Sequence, residues 1–203
     1  MKLNIGIINY GVGNVFSVKK ILKISNANII DVNNTDDFKK CDKIIMPGQG
    51  SFTHAMNHIQ SFNLDEQIYD FIKSGKHLLC ICLGMQLLLN KSEEANNKIG
   101  LGVLDGEVIK ISQNLKSPNI NWLNILSNDD SKSKFNKLAN NKFYYFAHSY
   151  FCSFHKIYES SYSIYETLNF TSLLEIDNII CTQFHPEISG ENGKIFFKNF
   201  IDL

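Results

Sequence analysis

Three side chains in this sequence could do nucleophilic chemistry together: a thiol, an imidazole and a carboxylate. The thiol, Cys82, lies in "LLCICLGMQLL" (78–88), where an apolar strand-like run passes into a helix-like one and Gly84 follows two residues later. A strand that delivers a side chain onto a sharp turn, with a helix starting behind it, is the layout of a nucleophile elbow. The helix N-terminus favours an anion and so stabilises a thiolate. Gly84 relieves crowding where backbone segments approach. The stretch suits a small buried apolar residue equally well, because free cysteine is usually that. Cys80, two residues earlier on the same strand face, reads as core packing.

The imidazole and carboxylate come much later, in "QFHPE" (183–187). In extended chain His185 and Glu187 point the same way, with Pro186 holding the backbone extended between them. A carboxylate beside an imidazole orients it and favours its charged form, the base-plus-orienter arrangement of a triad. Alone, His-Pro-Glu is more simply an ion pair; beside a cysteine elbow it reads as catalytic. "MPGQG" (46–50) adds a third element. Gly48 and Gly50 flank Gln49 and leave the local peptide planes free to turn, so a backbone N–H can face a developing oxyanion. An ordinary turn uses the same residues. "GVGN" (11–14) begins like a dinucleotide fingerprint, but Phe16 stands where its third glycine belongs, which excludes nucleotide binding there.

The elements that must position these groups follow from periodicity. "LNIGII" (3–8), "KIIMPG" (43–48) and "HLLCIC" (77–82) are short apolar runs closed by turn residues and predict buried strands. Between and after them, helical spacing runs over 15–24 (Val15, Val18, Ile21, Leu22), over 54–74 with Gly75 as its cap, and through "LGMQLLLNKS". Strand and helix in alternation imply a parallel sheet with helices on both faces. After about residue 100 the rhythm changes. "GVLDGEVIKI" (102–111) predicts hairpin strands, and 113–142 is polar with no element assigned. Strands are expected at 143–151, 161–166, 171–176 and 178–184, and a last helix at 191–201. The expectation is an α/β fold: an open, mostly parallel sheet with flanking helices and an antiparallel extension, with residues 1–203 forming a single domain.

Bulk properties narrow the classes. A net charge of zero excludes a global field that recruits nucleic acid or a membrane surface. The chain contains no arginine, which argues against its being the main binder of a phosphorylated ligand. Its five cysteines include no Cys-x-x-Cys spacing, so neither a disulfide framework nor a zinc site is indicated. No apolar run approaches a membrane span and none reads as a secretory signal. A reducing, cytoplasmic setting is expected, with no cofactor and no metal.

"PGQG", "CLGMQ" and "FHPE", in this order, resemble the class I (triad) glutamine amidotransferase domain. Together with "YGVGN", "LGMQLLLNKSEE", "GLGVLDGEV" and "FAHSY", they resemble its HisH-type group, the glutaminase subunits of imidazole glycerol phosphate synthase, over essentially the whole chain. The resemblance implies that Cys82 attacks the carboxamide carbon of glutamine, that His185 takes the thiol proton and returns it to departing ammonia, and that Glu187 holds the imidazole. It implies an oxyanion met by the N–H of Leu83 and one from Gly48–Gly50, and a glutamyl thioester released by water. Gln86 and Glu94 would hold the amino-acid end of the substrate, with backbone from His148, Ser149 and Tyr150.

The resemblance also implies a partner: a HisF-type (β/α)₈-barrel synthase subunit that receives the ammonia within a heterodimer, in histidine biosynthesis. Tyr10, Gly11, Gly13, Asn14, Asn119, Asn121 and Trp122 would meet it. Three positions depart from the family pattern. "PNINWLN" (118–124) stands where the family has "PHMGWN", Ile188 stands where a basic residue is usual, and Cys80 replaces a glycine. Two of these fall near the family's partner face, which leaves open a HisH-like subunit serving a sugar-aminating or sugar-amidinating synthase. A stand-alone γ-glutamyl cysteine hydrolase is the other alternative, and it would turn over without any partner.

Overall fold

The computed structural model describes residues 2–11, 13–96, 98–127, 131–156, 158 and 160–203. Its first half alternates strand and helix: β1 (Asn4–Ile8), α1 (Val15–Leu22), β2 (Asn28–Val32), α2 (Thr35–Lys39), β3 (Lys43–Met46), α3 (Phe52–Ser61), α4 (Leu64–Lys73), β4 (Leu78–Ile81) and α5 (Leu83–Leu87). Its second half is mainly strand: β5 (Lys91–Ser92), β6 (Lys98–Ile99), β7 (Gly106–Lys110), β8 (Asn119–Asn124), α6 (Lys134–Ala139), β9 (Phe143–His148), β10 (Tyr150–Phe154), β11 (Ser160–Tyr165), β12 (Leu168–Ile176), β13 (Ile179–Thr182) and α7 (Gly190–Ile201). The principal sheet runs β11-β12-β13-β4-β3-β1-β2. Its strands are parallel from β13 to β2, and β12 and β11 extend one edge antiparallel. Among the described residues no helix is long and apolar enough to cross a membrane.

"KIIM" and "LLCI" are buried at every position, as parallel strands covered on both faces require. The alternation of side chains sorts them into two cores. Ile44, Met46, Leu78 and Cys80 pack with Phe52, Met56, Ile59, Ile68 and Phe71 of α3 and α4. Ile45, Leu79 and Ile81 pack with Val18, Leu22, Phe135, Phe196 and Phe200 of α1, α6 and α7. Lys43, also buried, donates to the carbonyls of Phe200 and Ile201 at 2.9 and 2.7 Å and ties the end of α7 to the sheet. A cation at a helix C-terminus meets the negative end of its dipole.

Several expectations are corrected. The helix expected across 54–74 is two, broken where Asn63 takes the left-handed φ of +51° that a short amide side chain tolerates. The helix after Cys82 ends at Leu87, because the carbonyls of Leu87, Leu88 and Leu89 accept from the N–H groups of Leu101, Leu104 and Gly102. Those same bonds use up the start of 102–111, so only β7 forms there, and it pairs with β10 and β5 instead of folding on itself as a hairpin. The expected strand at 143–151 divides at Ser149. β9 pairs with β8, and β10 pairs with β7 in a second sheet of order β10-β7-β5-β6. β2 and α2 escaped the periodicity reading because β2 is a partly exposed edge strand, and 113–142 contains β8 and α6.

Candidate functional site

β3, β4 and β13 lie side by side and parallel, so their carboxyl ends open onto one crevice, where α/β sheets place their ligands. Each ends in one of the three sequence motifs. Cys82 follows β4 with φ +46° and ψ −99°, a strained backbone for a non-glycine residue of the sort concentrated at functional sites. Its N–H donates to Thr182 O at 2.6 Å, which ties the elbow to the end of β13. Gly84 is required by close approach, because a Cβ there would stand 2.4 Å from the Met46 carbonyl oxygen. Cys80 is fully buried and burial drives its thiol pKa well up, as suits an inert core residue.

His185 and Glu187 are brought together, but by a different backbone from the extended one expected. Pro186–Ile188 form a 3-10 turn, with proline at its first position where its fixed φ suits a helical start. Ser189 Oγ donates to His185 O at 2.7 Å and accepts from Tyr145 N–H at 3.0 Å, pinning the turn to β9. His185 Nδ1 lies 2.8 Å from Glu187 Oε1. A carboxylate only accepts, so Nδ1 carries the proton and Nε2 is left as the base. Nε2 is buried with no hydrogen-bond partner. Burial opposes the charged imidazole, but the Cys82 sulfur and Glu187 outweigh it and hold the pKa of His185 well above its ordinary value.

Gly48 is placed behind these groups and forms no wall of the cavity. A Cβ on it would stand 2.8 Å from His185 Cε1 and 3.0 Å from Cys82 Cβ, so its bare backbone makes room for both. The Gly48 carbonyl accepts from Asn14 N–H at 2.9 Å, and the Tyr10 hydroxyl donates to the Pro47 carbonyl. Gln49 and Gly50 continue at φ +73° and +120°, exposed at the mouth.

A cavity of about 250 Å³ opens over the sulfur, with Gln49, Gly50, Cys82, Leu83 and Gln86 on one side. Glu94, Ala147, His148, Ser149 and Tyr150 line the other. Gln86 Nε2 donates to Tyr150 O at 3.1 Å. Burial raises the pKa of the half-buried Glu94 carboxyl, against the Phe52 N–H that bonds it at 3.2 Å. His148 Nδ1 donates to Tyr150 O at 2.9 Å, so its Nε2 accepts from Asn119 Nδ2 at 3.0 Å. Burial lowers the pKa of His148 to about 4. Its imidazole resonances are therefore expected to titrate near pH 4 in a proton NMR series, far below an exposed histidine. Between that value and about 6.5 the unfolded chain binds a proton that the native site refuses, so this residue makes stability fall with falling pH in that window.

Of the residues expected at a partner face, Tyr10 and Asn119 are corrected: both are fully buried and present no surface. Tyr10 braces the loop after β3, and Asn119 positions His148. Gly11, Asn121 and Trp122 are exposed, Trp122 by 51%, while Gly13 and Asn14 are half-buried. The sequence reading missed Ala147 and Gln183. Gln183 Nε2 stands 3.4 Å from Cys82 Sγ. Gln183 follows β13 as Cys82 follows β4, and Thr182 pairs with Ile81, so "QFH" carried a signal in its first residue as well as its last.

Three comparisons with known proteins bear on this geometry. The glutamine amidotransferase class-I profile matches residues 7–203. The imidazole glycerol phosphate synthase subunit HisH of Methanocaldococcus jannaschii is 38% identical over 202 residues, covering 98% of this chain and 99% of that protein. The subunit of the same name from Helicobacter hepaticus is 35% identical over 216 residues, covering 100% and 99%. Among solved structures, PurLQS from Thermotoga maritima superposes with a TM-score of 0.72 at 20% identity, over 100% of this chain and 99% of that one, a likeness of fold.

Proposed function

The chain belongs to the class-I glutamine amidotransferases and, within them, to the HisH group, and on that footing we propose that Cys82, His185 and Glu187 hydrolyse glutamine as the glutaminase subunit of an imidazole glycerol phosphate synthase. The observation that carries this reading is the meeting of three strand ends: a strained cysteine elbow, a histidine whose Nδ1 is held by a buried carboxylate, and a cavity over the sulfur.

His185 Nε2 takes the thiol proton, and Cys82 Sγ attacks the carboxamide carbon. The oxyanion forms at the start of α5, where Leu83 N–H belongs to the first turn and has no partner within the helix. A second donor comes from the Gly48–Gly50 backbone. His185 returns its proton to the leaving nitrogen, ammonia departs, and water then cleaves the thioester to glutamate. At the far end of the cavity Glu94 suits the substrate ammonium, and Gln86 with the Ser149 and Tyr150 backbone suits the rest of the amino-acid end.

Ammonia passes to a HisF-type barrel in a heterodimer, across a face that includes Gly11, Asn121 and Trp122. The loop at 46–50 is clamped through its carbonyls by Tyr10 and Asn14 from the 9–14 segment, so docking on that segment reaches the oxyanion donors directly. Glutamate release is measured for the chain alone, then with its own organism's barrel subunit and the ribulosyl imidazole precursor. The expected result is stimulation of about 10²–10³-fold, the worth of one oxyanion donor. Fast turnover without a partner would identify a free-standing hydrolase, and stimulation only by a different barrel would reassign the acceptor.

A further inference from the structure

We propose that Gln183 is a catalytic residue of this site: its side-chain amide donates a hydrogen bond to the Cys82 sulfur and stabilises the anionic sulfur that forms when His185 takes its proton. This rests on the reading of Cys82 as the nucleophile and adds a group that the triad does not contain.

The placement follows from the sheet. β13 runs parallel to β4 with Thr182 beside Ile81, so the residues that follow the two strands, Gln183 and Cys82, leave the sheet as neighbours. The backbone of Gln183 is held on the other flank, where its N–H donates to Ser172 O at 2.9 Å. Its side chain is fully buried, and Nε2 reaches Cys82 Sγ at 3.4 Å. The other end of the amide, Oε1, is buried with no hydrogen-bond partner. A buried amide oxygen without a partner is costly, and the rest of the site must offset that cost.

The orientation also has a chemical reason. A thiolate has no proton and only accepts, so an amide beside it must present N–H. A neutral donor aimed at an anion makes a charge-assisted bond, stronger than a neutral pair. His185 also interacts with this sulfur and cannot do this work throughout the cycle, because its proton must leave for the departing ammonia. A fixed donor that never transfers a proton keeps the sulfur in place while the histidine changes state. It also offers the thioester sulfur a partner when water expels it as the leaving group. Leucine of similar volume would fill the space and lack the donor.

The test compares the wild-type chain with Gln183→Leu and Gln183→Glu, using alkylation by iodoacetamide and thiolate ultraviolet absorbance across pH, with Cys82→Ala as the background. Loss of the donor is expected to slow alkylation of Cys82 about ten- to hundredfold near neutral pH. The difference should close at high pH, where the thiol is ionised in every variant. Gln183→Glu, nearly isosteric but anionic, should slow it further. A folded Gln183→Leu with the wild-type pH profile would overturn the proposal and leave Gln183 as packing. Should that variant not fold, the wild type still decides: the side-chain amide resonances of Gln183 should move when Cys82 is alkylated, and unmoved resonances would overturn it. A diazo-ketone analogue of glutamine, applied to the wild type, separates the two levels. Failure to label Cys82 removes the nucleophile reading itself, whereas labelling with an unshifted pH profile removes only Gln183.

Discussion

Replacing Cys82 with alanine is expected to reduce glutamate release from glutamine by at least about 10⁴-fold, with the fold intact. The size of the loss follows from covalent catalysis: without the sulfur there is no thioester, and only binding and oxyanion donors remain to assist water. Cys82 contributes little to packing that alanine cannot supply, and alanine relieves none of the backbone strain at φ +46°. Stability measured by urea unfolding should therefore change far less than activity. Serine at this position tests the same point more narrowly. It keeps a nucleophile of similar shape but with a much higher pKa, and it should remain within the inactive range. Retention of more than about one hundredth of the activity in Cys82→Ala would mean that a water activated by His185 carries the reaction, with no covalent intermediate. The assay is run with and without the proposed barrel subunit, so that the loss is read against whichever rate is higher.

How much of this site was legible in the sequence depends on how local its cause is. The three strand-end motifs were readable because each is a short apolar run ending in residues with a special backbone role: Gly48 and Gly50, Gly84, and Pro186. The family resemblance supplied their order. The route by which His185 meets Glu187 was not readable, because the same "HPE" can run extended or enter a 3-10 turn. The turn is stabilised from outside, by Ser189 and by α7, whose Gly193 sits so close that a Cβ would overlap the Pro186 carbonyl oxygen.

Tyr10 and Asn119 mark a second kind of failure. Both were assigned to a surface by their place in a motif. Their burial is decided by groups distant in sequence, the Pro47 carbonyl and the His148 ring. The end of α5 at Leu87 is of the same kind, set by N–H groups from 101–104 that periodicity cannot see. Gln183 was missed for a third reason. Glutamine has no titratable proton and so attracts no attention beside a histidine, although its Nε2 lies 3.4 Å from the sulfur.

The other large effect is expected at Glu187. Glu187→Gln should keep the shape of the site and lower kcat by about 10³–10⁴-fold, by analogy with an orienting carboxylate in a serine protease triad changed to its amide. The carboxylate can only accept, so in the wild type it forces the proton onto Nδ1 and leaves Nε2 basic toward sulfur. An amide can also donate, and if it does so the imidazole turns to its other tautomer and presents a proton where the base is needed. Its second consequence concerns pH. The native pKa of His185 is raised well above 6.5, with the Cys82 sulfur and then Glu187 overcoming the burial that opposes it. A raised native value contributes stability that is fully present below the unfolded pKa and disappears as pH rises through the native one. Removing the Glu187 charge removes part of that contribution. The stability gap between wild type and Glu187→Gln should thus be widest at about pH 6 and narrow progressively toward alkaline pH. Urea unfolding of both proteins across that range measures it. A gap independent of pH would mean that Glu187 acts by shape alone, and that the charge on His185 is sustained by the sulfur without it.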